Sequence, residues 1–241
     1  MPKKVSFETA ENDVVQWMKD HPKEVIKHRK DFMQQLVKRR CSLGEGNILP
    51  VTLAPMFLKQ SSMERIAKVA EDLDKILDKA INLYFEDPYV RSYFPYPEIP
   101  LEWIQWDPGY KKPTRLSRHD ALFDGKTLKF IEFNTDNPGG RGWVDTYEDL
   151  ARKSPLYKDL ISKYCPAPDR PMLHALKETL LSAYAEWGGK KKKPRVAIVS
   201  FKEMVPGSDN EIIRDFLIEQ GLEANLVDAR DFKYRKGKLY S

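Results

Sequence analysis

The sequence is poor in cysteine and has no long apolar segment. Its 241 residues include two cysteines, Cys41 and Cys165, and neither belongs to a CxxC pair. A structural zinc site is therefore not expected, and two isolated thiols are typical of a reducing compartment. No window approaches the roughly 20 apolar residues of a transmembrane helix, and the first residues, MPKKVSFETAEND, lack the apolar segment of a signal peptide. We expect a cytoplasmic protein that does not enter a membrane.

A strong charge of one sign is also lacking. The 41 basic and 36 acidic residues are interspersed and leave a formal net charge of only +5. Such a mild excess does not predict binding to nucleic acid driven by overall charge. Apolar residues make up 41% of the chain, and its length is sufficient for one large domain or two small ones.

Periodicity and composition divide the chain into two regions. Residues 1–187 are predicted to be helical at first and then to contain a β-hairpin. Within them, apolar residues recur every three or four positions, as in a helix with a stripe facing the core: Met63, Ile66, Ala70, Leu73, Leu77, Ala80 and Tyr84. The stretch GGKKKKP, residues 188–194, is predicted to be a linker.

After the linker, the pattern becomes that of alternating strand and helix. A strand is predicted at RVAIVS, a helix at DNEIIRDFLIEQG and a second, parallel strand at EANLVD. Residues 195–241 are therefore expected to form a partial βαβ unit. The closing stretch FKYRKGKLYS predicts a short hairpin that turns at Lys236-Gly237. The predicted fold class is therefore α+β or α/β.

A β-hairpin is predicted where two strand-like runs, TRLSRHDALF and TLKFIEFNT, are joined by DGK. Side chains alternate between the faces of a strand, so Arg118 and Asp120 share one face of theirs, as do Glu132 and Asn134. The loop decides whether these two pairs meet. A two-residue loop would set the acidic pairs on opposite faces, whereas a three-residue loop, 124–126, would bring all four side chains to one surface.

We predict the three-residue loop, with residues 114–123 antiparallel to 127–134. Arg118 would then lie opposite Glu132, and Asp120 opposite Phe130. Three side chains would point away from this surface, toward a core or a second layer: His119, Ile131 and Phe133.

The four polar residues have the chemistry of a metal and phosphate site. Asp120, Glu132 and Asn134 supply hard oxygen atoms, which suit Mg²⁺. Arg118 stays charged and can hold a phosphate group through two parallel hydrogen bonds. The alternative is a cross-strand Arg–Glu pair on the surface, worth up to about 1 kcal/mol. The polar loop directly after the second strand favours a functional site over a surface ion pair. Its residues that could contact a ligand are Thr135, Asp136, Asn137, Gly139 and Gly140.

One motif of the hairpin resembles the metal and phosphate site of the circularly permuted ATP-grasp ligases. It consists of R-x-D, eleven intervening residues, E-x-N and then a polar loop. This family includes glutathionylspermidine synthetase, and the stretch that carries the resemblance is SRHDALFDGKTLKFIEFNTDNPGG. The resemblance implies that Asp120, Glu132 and Asn134 bind the magnesium ions that hold the phosphates of ATP. It also implies that Arg118 stabilises the transferring phosphoryl group or acyl phosphate. The loop 135–140 would face the acceptor substrate.

The resemblance further implies an ATP-dependent ligase that joins a carboxylate to an amine through an acyl phosphate. The substrates of the family include peptides. The hairpin would belong to a sheet of ATP-grasp type, and the βαβ unit would be Rossmann-like. In that family, the residues that grip adenine and ribose lie further toward the C-terminus than residue 241. We therefore expect the chain to correspond to an N-terminal half that is inactive without its C-terminal half.

Two alternatives stay open on the residues alone. Restriction-type nucleases carry D…E-x-K across a hairpin and use Mg²⁺, although Asn134 stands here in the place of the lysine. The chain could also be a binding module or a regulatory remnant of an ATP-grasp protein, without catalysis of its own.

Overall fold

The computed structural model of the chain describes residues 7–42, 48, 51–95, 101–164, 171–203 and 209–240. The α-helices are α1 (Phe7–Asp20), α2 (Pro22–Lys38), α3 (Gln60–Glu86), α4 (Pro88–Ser92), α5 (Leu101–Ile104), α6 (Arg141–Arg152), α7 (Ser162–Tyr164), α8 (Met172–Glu186) and α9 (Asp209–Glu219). A π-helical turn, Tyr157–Ile161, precedes α7. Across these ranges, no helix is both long and apolar enough to cross a membrane.

The strands of the described residues form three two-stranded sheets. They are β1 (Arg118–Phe123) with β2 (Leu128–Asn134), β3 (Arg195–Ser200) with β4 (Glu223–Asp228), and β5 (Lys233–Arg235) with β6 (Lys238–Tyr240). The first and third pairs are antiparallel and the second is parallel. The fold thus combines helices with small sheets of both kinds, which is the coarse class that the sequence predicts.

The chain divides into two compact units. The sequence predicts a single boundary at the linker 188–194, and the limits of the units differ from it. The first unit contains the described residues of 1–57, 139–177 and 191–241, and the second contains 58–138 and 178–190. The βαβ unit therefore belongs with the N-terminal helices. Its two strands and one helix are too few to bury a core alone, and it packs on α6 within the first unit.

Two apolar clusters of the described residues contribute to the core of the first unit. One joins α2 to α6 through Phe32, Leu36 and Leu150, together with the buried free thiol of Cys41. The other joins α1 to the segment that follows α6 through buried Val14, Leu156 and Ile161. Burial raises the pKa of the Cys41 thiol. Cys165 lies outside the described residues.

The predicted strand–helix–strand order after the linker is confirmed by the pairing of β3 with β4. The two strands are parallel and in continuous register from Arg195–Glu223 to Ser200–Asp228, with α9 between them in the chain. The terminal hairpin turns at Lys236-Gly237, as the sequence predicts, and both residues have positive φ values of 49° and 74°.

A single carboxylate, that of Asp209, connects α9 to the start of α6. It is 6% exposed and accepts hydrogen bonds from four successive backbone N–H groups, at 2.8, 3.1, 2.6 and 3.2 Å: Gly140, Arg141, Gly142 and Trp143. The first N–H groups of a helix have no partner inside the helix, and the helix dipole favours an anion there. The side chain of the first residue of α9 thus caps a different helix.

Glycine is required at two positions of this contact. Gly140 has a φ of 95°, which disfavours any residue with a side chain. A Cβ atom at Gly142 would lie 2.6 Å from Cγ2 of Ile212 and 3.0 Å from the Asp209 carboxylate. Gly142 therefore lets α9 approach the backbone of α6 closely, and Gly140 supplies the left-handed residue that precedes α6.

In the second unit, α3 runs beside the chain that leads into the β1–β2 hairpin. The apolar stripe predicted for the core is only partly buried, since no residue of α3 is fully buried and Met63 is 40% exposed. The Asp78 carboxylate of α3 accepts a hydrogen bond from the Thr114 backbone at 3.2 Å. Glu186 of α8 forms an ion pair with Arg115. These contacts fix the chain just before β1.

We expect Asp209→Ala to lower the free energy of unfolding by about 1–3 kcal/mol, because it leaves the first N–H groups of α6 without their acceptor. Urea unfolding followed by circular dichroism measures this loss. The control is Asn210→Ala at the next position of α9. Equal losses in the two variants would show that the cap contributes nothing specific.

Candidate functional site

The turn between β1 and β2 is closed by the carboxylate of Asp124. Its side chain accepts hydrogen bonds from the backbone N–H groups of Lys126 at 2.8 Å and Thr127 at 2.6 Å. These bonds hold the pKa of the Asp124 carboxyl below its usual range. Gly125 has a φ of 92° and supplies the left-handed residue of the turn.

The predicted three-residue loop is wrong because this turn leaves four residues, 124–127, between the paired residues Phe123 and Leu128. The predicted partners are wrong as well. Arg118 lies opposite Asn134, and Asp120 lies opposite Glu132. The change arises from a bulge in β2, where the register shifts by one residue between the pairs Ala121–Phe130 and Asp120–Glu132.

The bulge restores the common face that the sequence predicts. Residues directly opposite in an antiparallel pair share a face, and so do residues two apart. The register therefore places all four polar residues on one face of the hairpin, now as two cross-strand pairs: Arg118 with Asn134, and Asp120 with Glu132. Ile131, predicted on the opposite surface, is the extra residue of the bulge and is 65% exposed.

The polar face holds two carboxylates opposite each other and one guanidinium beside them. Nε of Arg118 donates to Oδ1 of Asp120 at 3.1 Å, and their side chains are 50% and 37% exposed. Nδ2 of Asn134 donates to the Arg118 carbonyl at 3.3 Å. Directly opposite like charges repel. Arg118 forms an ion pair with Asp120 on this face, and Lys129, opposite Leu122, lies on the same face. Two carboxylates that face each other can hold one cation between them.

The other face of the hairpin is anchored to α3 by Asp74. Its Oδ1 lies 3.0 Å from Nε2 of His119 and accepts a hydrogen bond from the Ser117 hydroxyl at 2.8 Å. The His119 side chain is 5% exposed, and its ring packs edge-on against Phe130 and Phe133. His119 and Phe133 thus share the inward face, as predicted, whereas Phe130 takes the place expected for Ile131. The sequence does not predict this contact, because Asp74 is distant in the chain from the hairpin that it anchors.

The loop after β2 divides between the two units, so its predicted contact residues are described separately. Thr135, Asp136 and Asn137 are exposed and belong to the second unit. Gly139 and Gly140 belong to the first unit, where the N–H of Gly140 is bonded to Asp209. Gly140 thus stands at the N-terminus of α6 and contacts α9, which the sequence does not predict.

The residues of the polar face fit a magnesium ion by their donor chemistry. Mg²⁺ commonly takes one or two protein carboxylates and completes its shell with water and phosphate oxygens. Within the described parts of the chain, no three or more His, Cys, Asp or Glu side chains form a group able to hold a metal ion. Asp120, Glu132 and the amide oxygen of Asn134 provide a smaller set, which needs a phosphate ligand to complete it.

Compared with known protein families and curated proteins, the chain matches no family model and no curated sequence. The assignment of the polar face therefore rests on its residues and their geometry.

We expect Asp74→Ala to loosen the hairpin, because it removes the acceptor for both Ser117 and the buried His119 ring. Amide hydrogen exchange across 118–134 should accelerate roughly tenfold, equivalent to about 1.4 kcal/mol of local stability. The matched control is Asp72→Ala on the same helix, whose ion pairs with Lys68 and Lys75 are exposed and contribute little. Unchanged exchange in Asp74→Ala would refute the anchoring role.

Proposed function

We propose that the chain supplies the metal- and phosphate-binding part of a magnesium- and ATP-dependent ligase that joins a carboxylate to an amine, of the permuted ATP-grasp type. The observation that carries the proposal is the polar face, where Asp120 lies directly opposite Glu132 and Arg118 lies opposite Asn134. This arrangement agrees with the residue order that resembles the family. Two carboxylates directly opposite each other destabilise a strand pair, and a bound cation offsets this cost.

The carboxylates of Asp120 and Glu132 and the amide oxygen of Asn134 are assigned to magnesium. When bound with ATP, the metal supplies charge neutralisation at the phosphates during phosphoryl transfer. Asp120 and Glu132 lie directly opposite each other, and directly opposite side chains of an antiparallel pair are neighbours on one face. Both carboxylates would therefore hold the metal together.

Arg118 is assigned to the transferring phosphoryl group. Its ion pair with Asp120 uses Nε, and this contact orients the guanidinium across the polar face. A planar guanidinium can hold two phosphate oxygens at once. Its contribution is greatest in the transition state, where the developing charge is spread over the phosphoryl oxygens.

The acceptor substrate is assigned to the exposed loop residues that directly follow β2. Thr135, Asp136 and Asn137 lie next to the metal-binding strand in the same unit. Their hydroxyl, carboxylate and amide groups suit the polar carboxylate and amine substrates of such a ligase.

A magnesium-dependent nuclease is the second candidate, favoured by one observation. Lys129 pairs with Leu122, which puts it on the same face as Asp120 and Glu132 and supplies the lysine missing from the sequence pattern. Cleavage of labelled DNA in the presence of Mg²⁺ by the chain alone would support this candidate over the ligase.

We expect Mn²⁺, used as a paramagnetic substitute for Mg²⁺, to bind weakly to the chain and more tightly when ATP is added. Glu132→Gln should weaken binding about tenfold or more, because it removes one of the two carboxylate charges assigned to the metal. Electron paramagnetic resonance of free Mn²⁺ measures the affinity. Asp124→Asn is the control, since that carboxylate is bonded within the turn. Equal effects would count against the metal site.

A complete ligase of the permuted ATP-grasp type that contains this chain should release ADP from ATP when a carboxylate substrate is present. In that complete enzyme, Arg118→Ala should reduce kcat about 10²–10³-fold and change the affinity for ATP little. A coupled assay of ADP release, with a panel of carboxylates and amines, gives both quantities. The matched control is Lys126→Ala in the turn. A complete enzyme indifferent to the loss of Arg118 would refute its assignment.

A further inference from the structure

The terminal β5–β6 hairpin concentrates positive charge on one face. Lys233 pairs with Tyr240, and Arg235 pairs with Lys238. Directly opposite residues share a face, so three cations and one aromatic ring lie on the same side of the hairpin. Lys236 adds a fourth cation at the turn, where its positive φ of 49° is uncommon for a lysine.

The carboxylates nearest in sequence are already paired with other cations. Asp231 binds Nζ of Lys202 at 2.8 Å. Arg230 is bonded both to Asp228 at 2.6 Å and to Glu203 at 2.9 Å. In the part of the chain that the structure describes, no carboxylate forms an ion pair with any of the four hairpin cations. Their charge is therefore available to an external anion.

The cations surround an open depression of suitable size for a ligand. Its volume is about 410 Å³, and it is lined by Lys233, Arg235, Lys236 and Tyr240. The Tyr240 side chain is 52% exposed, so its ring is accessible for stacking. The site thus combines a positive surface with an aromatic ring.

We propose that the β5–β6 hairpin binds single-stranded nucleic acid, a function separate from the ligase chemistry proposed above. Alternate residues of a strand, such as Lys233 and Arg235, are about 6.7 Å apart, a spacing that suits the successive phosphates of an extended strand. Stacking of a base on Tyr240 adds affinity without sequence preference. An acidic peptide would use the cations but not the ring, and for this reason the nucleic acid is the better match. The overall charge of +5 conceals this local concentration.

The test uses fluorescence anisotropy of labelled oligo(dT) and oligo(U) of about twelve nucleotides, within the usual site size of such proteins. Contacts to three or four phosphates predict a slope of about −2 to −3 for log K against log salt concentration. The double variant Lys233→Glu/Arg235→Glu should weaken binding more than tenfold. The matched control is Lys191→Glu/Lys192→Glu, which makes the same change in net charge in an exposed part of the lysine run.

Stacking is tested separately at the aromatic ring. Tyr240→Ala should weaken binding about tenfold, and Tyr240→Phe should retain it, since base stacking needs the ring and not the hydroxyl. These positions are exposed, so thermal unfolding should be unchanged in every variant. Hydrogen exchange on the unmodified chain should show protection by the oligonucleotide at residues 233–240, which tests the site without any substitution.

Three results would overturn the proposal. Equal losses in the hairpin and lysine-run variants would mean that the chain attracts polyanions without a site. Competition by poly(glutamate) as effective as by oligonucleotide would identify an acidic-peptide surface instead. Protection outside 233–240 would place the nucleic acid elsewhere.

Discussion

The register between β1 and β2 is the constraint on which the candidate site depends. A regular ladder continued from Phe123 and Leu128 would set Asp120 across from Ile131 and would turn Glu132 to the other face. The bulge prevents this, and the two carboxylates meet instead. Their repulsion opposes folding, and Arg118 forms an ion pair with Asp120 beside them. A strand pair that keeps such an arrangement is suited to holding a cation.

The acidic residues of the chain serve two different purposes, which burial and bonding distinguish. Asp209 and Asp74 reach across from one element to another and accept several hydrogen bonds each. Their role is to position α6 and the β1–β2 hairpin. Asp120 and Glu132 are more accessible and face each other rather than a set of backbone donors. The first kind of carboxylate stabilises the fold, and the second kind is available for a ligand.

The two proposed sites show that net charge is a poor guide to local chemistry. The chain has a mild basic excess, yet two carboxylates lie opposite each other at Asp120 and Glu132, and the face around Arg235 has excess positive charge. Each arises from cross-strand pairing in a hairpin, which brings together side chains that the sequence separates. A cation and a polyanion are therefore expected at different places on the same molecule.

The sequence by itself determined the local elements, the strand–helix–strand unit and the Lys236-Gly237 turn. These follow from alternation, periodicity and turn chemistry, which act over a few residues. The tertiary structure decided the partners. The sequence could not show that the bonds from Asp124 lengthen the turn to four residues, or that Ile131 is an extra residue. It also could not show that Asp74 anchors His119, or that Asp209 takes the N–H of Gly140. The contacts of Asp74 and Asp209 join residues far apart in the chain, and only the folded backbone brings them within hydrogen-bond distance.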